Sequence, residues 1–300
     1  MWGLPVPERT ITSVPGVAVG HHSDRDAMTG VTVLTFEEPN VAIVDVRGGA
    51  PGSREFGLFG DAIKPVTVNA LVFAGGSAFG LAAADGVMAE VESEGRGAPT
   101  PAGPVPIVPA AIIFDLLVGS ADVRPTAADG ATAYRARTTR PVERGLVGAG
   151  TGATVGKMNG PDGMSSGGVG SACITVDEAS VGALVVLNAV GDVYDLAGHR
   201  LTGSAELDRK ASEGPFGFNT TLIAVATDAL IEDRNELRRF GVRAHDALAS
   251  TVRPAHTRYD GDTAFVVSSG RADADMDRLG EAVFRVVAAS IVDAIQSSQP

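Results

Sequence analysis

The sequence predicts a layered α+β fold in which helices sandwich β-sheets. Short segments rich in β-branched residues recur along the 300 residues, and several are apolar almost throughout, which is typical of strands covered on both faces. The C-terminal stretch instead places apolar residues at three- and four-residue steps, the pattern of one buried helix face. Because strands and helices mix without strict alternation, we expect stacked layers in one compact domain, 1–300.

The predicted strands are short and rich in Val, Ile, Leu, Ala and Thr. In chain order they span 31–36, 41–46, 69–74, 181–186, 222–227 and 263–268. The stretch Ala-Leu-Val-Val-Leu at 183–187 has no polar side chain. We therefore expect other layers to cover both faces of its sheet.

Three helices are predicted to supply those layers. One spans 79–94 and opens just after Gly75, Gly76 and Ser77, and a second spans 232–250 with charged residues on its solvent side. The third is C-terminal, and its apolar face consists of Met276, Leu279, Val283, Val286, Val287, Ile291 and Ala294. The turn-rich segments 95–109 and 156–168 are predicted to be loops.

Composition and charge exclude several classes of protein. With 44% hydrophobic and 20% charged residues, the chain is too apolar to be intrinsically disordered. Thirty-six acidic residues against 24 basic ones give a net charge of −12, which argues against a nucleic-acid or anionic-membrane partner. Thirty-eight glycines indicate many tight turns and sites built from main-chain groups.

Cysteine usage and hydropathy predict a cytoplasmic protein. A single cysteine, Cys173, cannot form an intramolecular disulfide or, by itself, a structural zinc site. The segment 1–26 lacks the apolar run of a signal peptide, and no stretch reaches the ~20 apolar residues of a membrane span.

Several common site motifs fail on their context. Gly148-Ala-Gly-Thr-Gly-Ala153 matches a degenerate dinucleotide fingerprint but is followed by glycines and a proline where a helix should open. Gly156-Lys157 precedes Met158 instead of the Ser or Thr of a P-loop. Ser165 fits the spacing of a nucleophile elbow but follows a loop, not a strand. The five histidines show no metal-ligand spacing, so we expect neither a metal nor a cofactor.

Two polar segments beside strands carry alternative interpretations. Asn219-Thr220-Thr221 joins the glycine-rich loop 213–218 to a strand, and it is either an ordinary turn or a place where the chain cuts itself. Cleavage would free the α-amine of Thr220, whose reference pKa near ~7.7 to 8.0 suits a base beside its own hydroxyl. Asp260 and Asp262 are either solvated turn acids or carboxylates that orient an amine and a lysine. Lys157 is ordinarily interpreted as a solvated surface lysine.

Together these segments resemble the L-aminopeptidase/D-esterase family of self-processing amide hydrolases, which includes β-peptidyl aminopeptidases and nylon-oligomer hydrolases. The resemblance covers nearly the whole chain, in the order 14–21, 47–55, 75–86, 106–115, 148–157, 187–192, 219–222 and 260–263. A Thr nucleophile together with two Asp residues at 260 and 262 looks closer to the nylon-oligomer (6-aminohexanoate oligomer) hydrolase branch than to the Ser-containing aminopeptidases.

The resemblance implies a four-layer α-β-β-α sandwich and a homotetramer without cofactor. It also implies that the chain cuts itself at the Asn219-Thr220 bond into an α chain, 1–219, and a β chain, 220–300. Thr220 would then be the nucleophile in the hydrolysis of a small peptide or amide, and its α-amino group the base.

The resemblance assigns the supporting roles residue by residue. Asn188 would donate its amide to the oxyanion, and Lys157 would polarise Thr220 or neutralise charge. Asp260 and Asp262 would hold the new ammonium and the lysine in place. Phe114 stands where relatives often carry a tyrosine that lends its hydroxyl to the site. Two alternatives remain open at this point: an acyl transferase like ornithine acetyltransferase, and an inactive binding or assembly homologue.

Overall fold

A computed structural model describes residues 9–60, 66–202, 218–231 and 233–299. Its strands are β1 (Ala18–Asp24), β2 (Thr29–Thr35), β3 (Val41–Val46), β4 (Ser53–Arg54), β5 (Leu71–Ala74), β6 (Ala98–Thr100), β7 (Gly103–Val105), β8 (Ala110–Ile112), β9 (Thr154–Val155), β10 (Ser165–Ser166), β11 (Gly168–Val176), β12 (Ala179–Asn188), β13 (Asp192–Val193), β14 (Thr220–Ala229), β15 (Val252–Arg253) and β16 (Thr263–Ala272). Its α-helices are α1 (Ala83–Ser93), α2 (Ala127–Arg135), α3 (Arg234–Thr251) and α4 (Met276–Ser298).

Two five-stranded sheets form the centre of the described structure. The first has the strand order β1-β2-β5-β8-β4 and the second β11-β12-β14-β16-β3. In the second sheet β14 pairs antiparallel with β12 and parallel with β16. Strands β12, β14 and β16, the three longest of that sheet, thus lie side by side, and the end of β12 lies next to the starts of β14 and β16.

Four layers result from the way in which these sheets bury their faces. Helices α1 and α2 cover the outer face of the first sheet, with Val87 and Tyr134 in one apolar cluster with its strands. The two sheets pack on each other through large apolar side chains such as Phe73 and Phe265. Helices α3 and α4 cover the outer face of the second sheet. This α-β-β-α arrangement confirms the predicted fold class.

Strand β12 shows why the apolar run at 183–187 is necessary. Leu184 and Val186 lie in the cluster between the two sheets, whereas Ala183, Val185 and Leu187 lie in the cluster under α3 and α4. Successive side chains of a strand point to opposite faces, so a strand in an inner layer needs apolar residues at every position. The prediction that this sheet is covered on both faces is therefore confirmed.

The abundant glycines allow close backbone packing between α1 and α2. A Cβ at Gly86 would lie 1.7 Å from the carbonyl oxygen of Ala127, and one at Gly130 would lie 1.9 Å from that of Ala83. Any larger residue at either position would force the helices apart. The two helices therefore cross at a distance that only glycine permits.

Most predicted elements are present, with shifted ends. The strand at 41–46 has the predicted bounds, and the strands at 181–186, 222–227 and 263–268 each extend further. The helix at 79–94 begins as a 3₁₀ turn, Ser77–Ala82, before α1. Residue 232, the predicted start of the next helix, and 213–217 of the glycine-rich loop lie outside the described residues.

Strands β1, β8 and β11 and helix α2 were not predicted. Helix α2 is rich in Ala and has few large apolar residues, so it carries no wide apolar stripe, and its clearest local signal is the capping box formed by Thr126 and Asp129. The segment predicted as a loop at 95–109 contains the hairpin β6–β7, and the one at 156–168 contains 3₁₀ turns and the short strand β10.

Candidate active site

The start of β14 lies at the centre of the candidate site. In the ladder between β12 and β14, Asn188 is the partner of Thr220. Asn219, one residue earlier, bridges to Asp260 in the segment that leads into β16. Strand pairing thus brings together residues that are far apart in the chain, Asn188 with Thr220 and Asn219 with Asp260.

The peptide group between Asn219 and Thr220 is buried and surrounded by donors. Both residues are almost inaccessible, with 1% and 3% of their surface exposed. The hydroxyl of Thr220 donates a hydrogen bond to the carbonyl oxygen of Asn219 at 2.5 Å, and the N–H of Gly261 donates to the same oxygen at 2.8 Å. The Thr220 oxygen therefore lies against the carbonyl group that it would attack, and a backbone donor polarises that carbonyl.

Gly261 must be small at this position. A Cβ there would lie 2.7 Å from the Thr220 hydroxyl oxygen and 2.9 Å from the carbonyl oxygen of Ala50. Any other residue would push against the Thr220 hydroxyl or the neighbouring main chain. The glycine between the two aspartates thus lets the main chain approach the Asn219 carbonyl closely.

Lys157 is buried, contrary to the ordinary interpretation of a surface lysine. Only 3% of it is exposed, and its ammonium nitrogen lies 2.7 Å from the side-chain oxygen of Asn188 and 3.3 Å from the Asn188 carbonyl. Burial lowers the pKa of Lys157 to about 7, a change that the negative charges of Asp260 and Asp115 partly offset. The lysine can thus change its protonation state near neutral pH.

Asn188 connects Lys157 to the end of β12. It is fully buried, and its side-chain oxygen also accepts a hydrogen bond from the N–H of Thr154 at 3.0 Å. Its side-chain amide donates to the carbonyl oxygen of Phe114 at 3.3 Å. These contacts fix the assignment of the oxygen and the nitrogen, because only the oxygen can accept from Thr154 and Lys157.

The two aspartates are buried to 1% exposure each, so the interpretation as solvated turn acids is wrong. Asp260 accepts hydrogen bonds from the N–H and hydroxyl of Thr257, at 2.8 and 2.6 Å. Burial and the neighbouring charge of Asp262 raise the pKa of Asp260. Asp262 accepts from the N–H of Thr221 at 2.8 Å and from His256. That these carboxylates orient a lysine and a free ammonium stays a prediction.

Sequence reasoning did not assign a role to Asp115. Its carboxylate accepts hydrogen bonds from the N–H of Gly76 and the hydroxyl of Thr29, both at 2.7 Å. Burial raises the pKa of Asp115, against the opposing effects of these donors and of Lys157. It follows Phe114 directly and so holds the segment whose carbonyl receives the Asn188 amide. Only the apolar run that precedes it could have indicated its burial.

A groove with largely apolar walls opens onto Lys157. Its lining consists of Phe114, Leu117, Val118, Thr154, Lys157, Met164 and Phe218. The rings of Phe114 and Phe218 meet edge to face, with centroids 5.7 Å apart, and Phe218 is 58% exposed. Phe114 thus packs against the residue just before the Asn219-Thr220 bond.

The rejected motifs have structures that agree with their rejection. The glycine run at 148–153 forms a 3₁₀ turn that leads into β9 and not into a helix. Ser165 lies on the two-residue strand β10, which is not followed by a helix. Among the residues that the structure describes, no group of three or more His, Cys, Asp or Glu side chains is arranged to hold a metal ion.

Comparison with known proteins identifies the family. The model of peptidase family S58 matches residues 9–300. The chain belongs to peptidase family S58. A protein named as an uncharacterized aminopeptidase from Mycobacterium leprae is 40% identical, over 90% of this chain and 81% of its own. A 6-aminohexanoate-oligomer endohydrolase from Kocuria sp. is 30% identical, over 86% of this chain and 74% of its own.

Two solved aminopeptidase structures have the same fold as this chain. A β-aminopeptidase from Burkholderia sp. is 25% identical with a TM-score of 0.75, and the match covers 98% of this chain and 89% of that one. The L-aminopeptidase D-Ala-esterase/amidase from Ochrobactrum anthropi, described as a variant of the Ntn hydrolase fold, has a TM-score of 0.77 at 19% identity, covering 100% and 89%. Its family and these relatives make the S58 chain an enzyme, a hydrolase of peptide or other amide bonds. Peptides or other amides fit such a peptidase as substrates.

The described ranges of this S58 chain include no helix with the length and apolar character needed to cross a bilayer.

Proposed function

We propose that the chain cuts its own Asn219-Thr220 bond and that Thr220 then acts as the N-terminal nucleophile of an amide hydrolase. The observation that carries this proposal is the double contact at the Asn219 carbonyl oxygen, which faces the Thr220 hydroxyl at 2.5 Å and the Gly261 N–H at 2.8 Å. The products are an α chain, 1–219, and a β chain, 220–300.

Self-cleavage begins when the Thr220 oxygen attacks the Asn219 carbonyl carbon. Negative charge develops on the carbonyl oxygen, where the Gly261 N–H is already in place to stabilise it. The C–N bond then breaks and the nitrogen takes up the proton that the hydroxyl lost, which leaves Asn219 bound to Thr220 as an ester. Water hydrolyses this ester, so Asn219 ends in a carboxylate and Thr220 gains a free α-amino group.

In turnover the freed amine takes the proton of the Thr220 hydroxyl as the oxygen attacks the substrate amide. The leaving amine departs protonated, and water releases the acyl group from Thr220. Asn188, the ladder partner of Thr220, supplies its side-chain amide to the oxyanion. The ammonium group of Lys157 contacts the side-chain oxygen of Asn188 and balances negative charge in this buried site. Asp260, whose charge acts on Lys157, and Asp262 hold the lysine and the new α-ammonium group in place.

The test is direct analysis of purified protein. We expect mass spectrometry to find two fragments in place of the 30.5 kDa chain, and Edman degradation to find a second N-terminus that reads Thr-Thr-Leu-Ile. A chain that stays whole after long incubation would contradict the proposal.

Product analysis with and without ornithine separates hydrolysis from acyl transfer, since only a transferase needs the acceptor amine. An inactive homologue would show no turnover in either arm.

For the substrate we propose a small peptide or an amide oligomer. Relatives named as aminopeptidases are 40–41% identical and those named as 6-aminohexanoate-oligomer endohydrolases 29–30%. The Thr nucleophile and the two aspartates favour the second group, and this preference stays a prediction. A screen of amino-acid p-nitroanilides against short amide oligomers distinguishes the two classes.

We also propose that the mature enzyme is a cytoplasmic homotetramer. The family resemblance supports the tetramer, and the single cysteine, buried in the structure, fits a reducing compartment. Light scattering of the processed enzyme measures the number of subunits directly.

Replacing Asn188 by Asp tests its role in turnover. Aspartate keeps an oxygen for Thr154 and Lys157 but removes the amide donor. We expect kcat to fall about 10²- to 10³-fold while self-cleavage continues, because Gly261 serves the Asn219 carbonyl. The measurement is kcat and KM of the processed variant on the best substrate of the screen. An unchanged kcat would remove Asn188 from the oxyanion site.

A further inference from the structure

The carboxylate of Asp262 is the acceptor of three N–H groups. One oxygen, Oδ1, accepts from the backbone N–H of Thr221 at 2.8 Å. The other, Oδ2, accepts from both the backbone N–H and the ring Nδ1 of His256, at 3.0 and 2.9 Å. The two oxygens thus have separate tasks: one holds the start of β14, and the other is held by a single histidine.

The backbone N–H of Thr221 influences the position of Thr220, the proposed nucleophile. It belongs to the peptide unit directly after Thr220, so its position determines where the Thr220 side chain lies. Asp262 in turn lies directly before β16, whose first residue, Thr263, pairs with Leu222 of β14. A carboxylate that rotated by a few tens of degrees would release Thr221 and let the Thr220 hydroxyl move away from the Asn219 carbonyl.

His256 opposes that rotation through its two hydrogen bonds to Oδ2 of Asp262. Its backbone has φ of +57°, a left-handed conformation that places its N–H and its ring on the same carboxylate oxygen. Such a conformation costs energy for a residue with a side chain, and glycine adopts it more readily than histidine. The strained backbone therefore persists because the surrounding contacts hold it.

A second histidine supports the ring of His256. His245 of α3 meets it edge to face, with ring centroids 4.8 Å apart, and is only 3% exposed. Its Nε2 donates to the carbonyl oxygen of Asp45 at 3.0 Å, and burial lowers the pKa of His245, which favours the neutral ring. The charged groups around the pair are Asp262 in the same loop, Asp45 and Arg47 at β3, and Asp246 on α3.

We propose that His256 is a positioning residue for self-cleavage, which holds Asp262 so that its other oxygen anchors Thr221 and keeps Thr220 against the Asn219 carbonyl. The inference rests on the self-cleavage proposed above and extends it to a residue outside the set Thr220, Lys157, Asn188, Asp260 and Asp262. His256 does not touch the reacting atoms. It acts through the Nδ1–H···Oδ2 bond.

Three substitutions separate this bond from packing and backbone strain. In His256→Asn the amide nitrogen stands where Nδ1 stood, so the donor is kept. His256→Asp has the same shape and the same tolerance of positive φ, but it has no donor and repels Asp262. His256→Gly relieves the backbone and removes the side chain altogether. Asn and Asp are thus a matched pair that differs only in the group facing Oδ2.

The rate of self-cleavage is followed by gel electrophoresis during cell-free synthesis of each full-length chain. We expect the Asn variant to be cleaved at a rate close to that of the unmodified chain. The Gly and Asp variants should be cleaved about 10- to 100-fold more slowly, which corresponds to the loss of one charge-assisted hydrogen bond. Thermal unfolding of all three variants in a Thr220→Val background shows whether they share the same fold.

The outcomes distinguish this inference from the function on which it rests. If the unmodified chain stays whole, self-cleavage itself is wrong and His256 has no such role. If that chain is cleaved and the Gly or Asp variant is cleaved equally fast, self-cleavage holds and the positioning role is overturned. Equal slowing of Asn and Asp variants also overturns it, because the donor would then not be the relevant group.

Discussion

Thr220→Val is expected to leave the chain in one piece and without hydrolase activity. Valine has nearly the same shape as threonine and fits the buried, β-paired start of β14, but it lacks the oxygen that faces the Asn219 carbonyl at 2.5 Å. Both self-cleavage and turnover need that oxygen, so kcat/KM should fall by about 10⁴-fold or more. Mass spectrometry measures the first effect and a p-nitroanilide assay the second.

The neighbouring threonine is the matched control. The Thr221 hydroxyl is buried and has no hydrogen-bond partner among the described residues. Thr221→Val therefore removes an unsatisfied polar group and keeps the shape, so stability should hold or rise. Self-cleavage should be unaffected, because Asp262 binds the Thr221 backbone and not its side chain. Loss of cleavage in both variants would show that the effect is structural and not chemical.

Lys157→Met is expected to change stability in a pH-dependent way and to stop self-cleavage. In the folded chain the pKa of Lys157 is lowered from 10.5 to about 7 by burial. Between those values the unfolded chain binds more protons at this site than the folded chain, so the free energy of unfolding rises with pH. Methionine fills similar space and does not titrate, so the variant lacks this rise.

Comparing two uncleaved proteins, Thr220→Val with and without Lys157→Met, isolates the contribution of the lysine. From pH 7.5 to pH 10 the free energy of unfolding of the lysine-containing protein should increase by about 3 kcal/mol relative to the methionine variant. Other titrating groups are present in both proteins and largely cancel. Denaturant unfolding at several pH values gives the difference, and a difference that does not change with pH would show that Lys157 keeps its ordinary pKa. In the Thr220 background, Lys157→Met should leave the chain whole, because Asp260, which bridges to Asn219, loses the nearby positive charge and then opposes the negative charge that develops on the Asn219 carbonyl.

Thr220 and Lys157, the residues behind these two predictions, differ in how far the sequence alone reveals their roles. Thr220 could be singled out because a threonine after a glycine-rich loop and before an apolar strand is visible in the sequence, and the family resemblance assigned its role. The burial of Lys157 could not be seen, because a lysine in a glycine-rich segment is ordinarily solvated. Contacts with Asn188, 31 residues away, place it inside the protein.

Gly261, His256 and Asp115 show a second limit. Gly261 contributes a backbone N–H, which every residue except proline has, so its residue type carries no signal of that role. His256 shows no metal-ligand spacing, and no local pattern in the sequence indicates that the carboxylate of Asp262 is its partner. Asp115 lies at the end of an apolar run, and its contacts with Gly76 and Thr29 come from distant parts of the chain.

By itself the sequence determined strands such as β3, β12, β14 and β16 and helices α1, α3 and α4, because apolar runs and three- and four-residue steps reflect burial on two faces or on one. Together with the family resemblance, it singled out Thr220 as the proposed nucleophile. The tertiary structure alone decided which main-chain N–H faces the Asn219 carbonyl, which carboxylate oxygen holds Thr221, and how far burial lowers the pKa of Lys157. These properties depend on solvent exclusion and on distances between residues that pairing of β12, β14 and β16 brings together, and no local pattern encodes them.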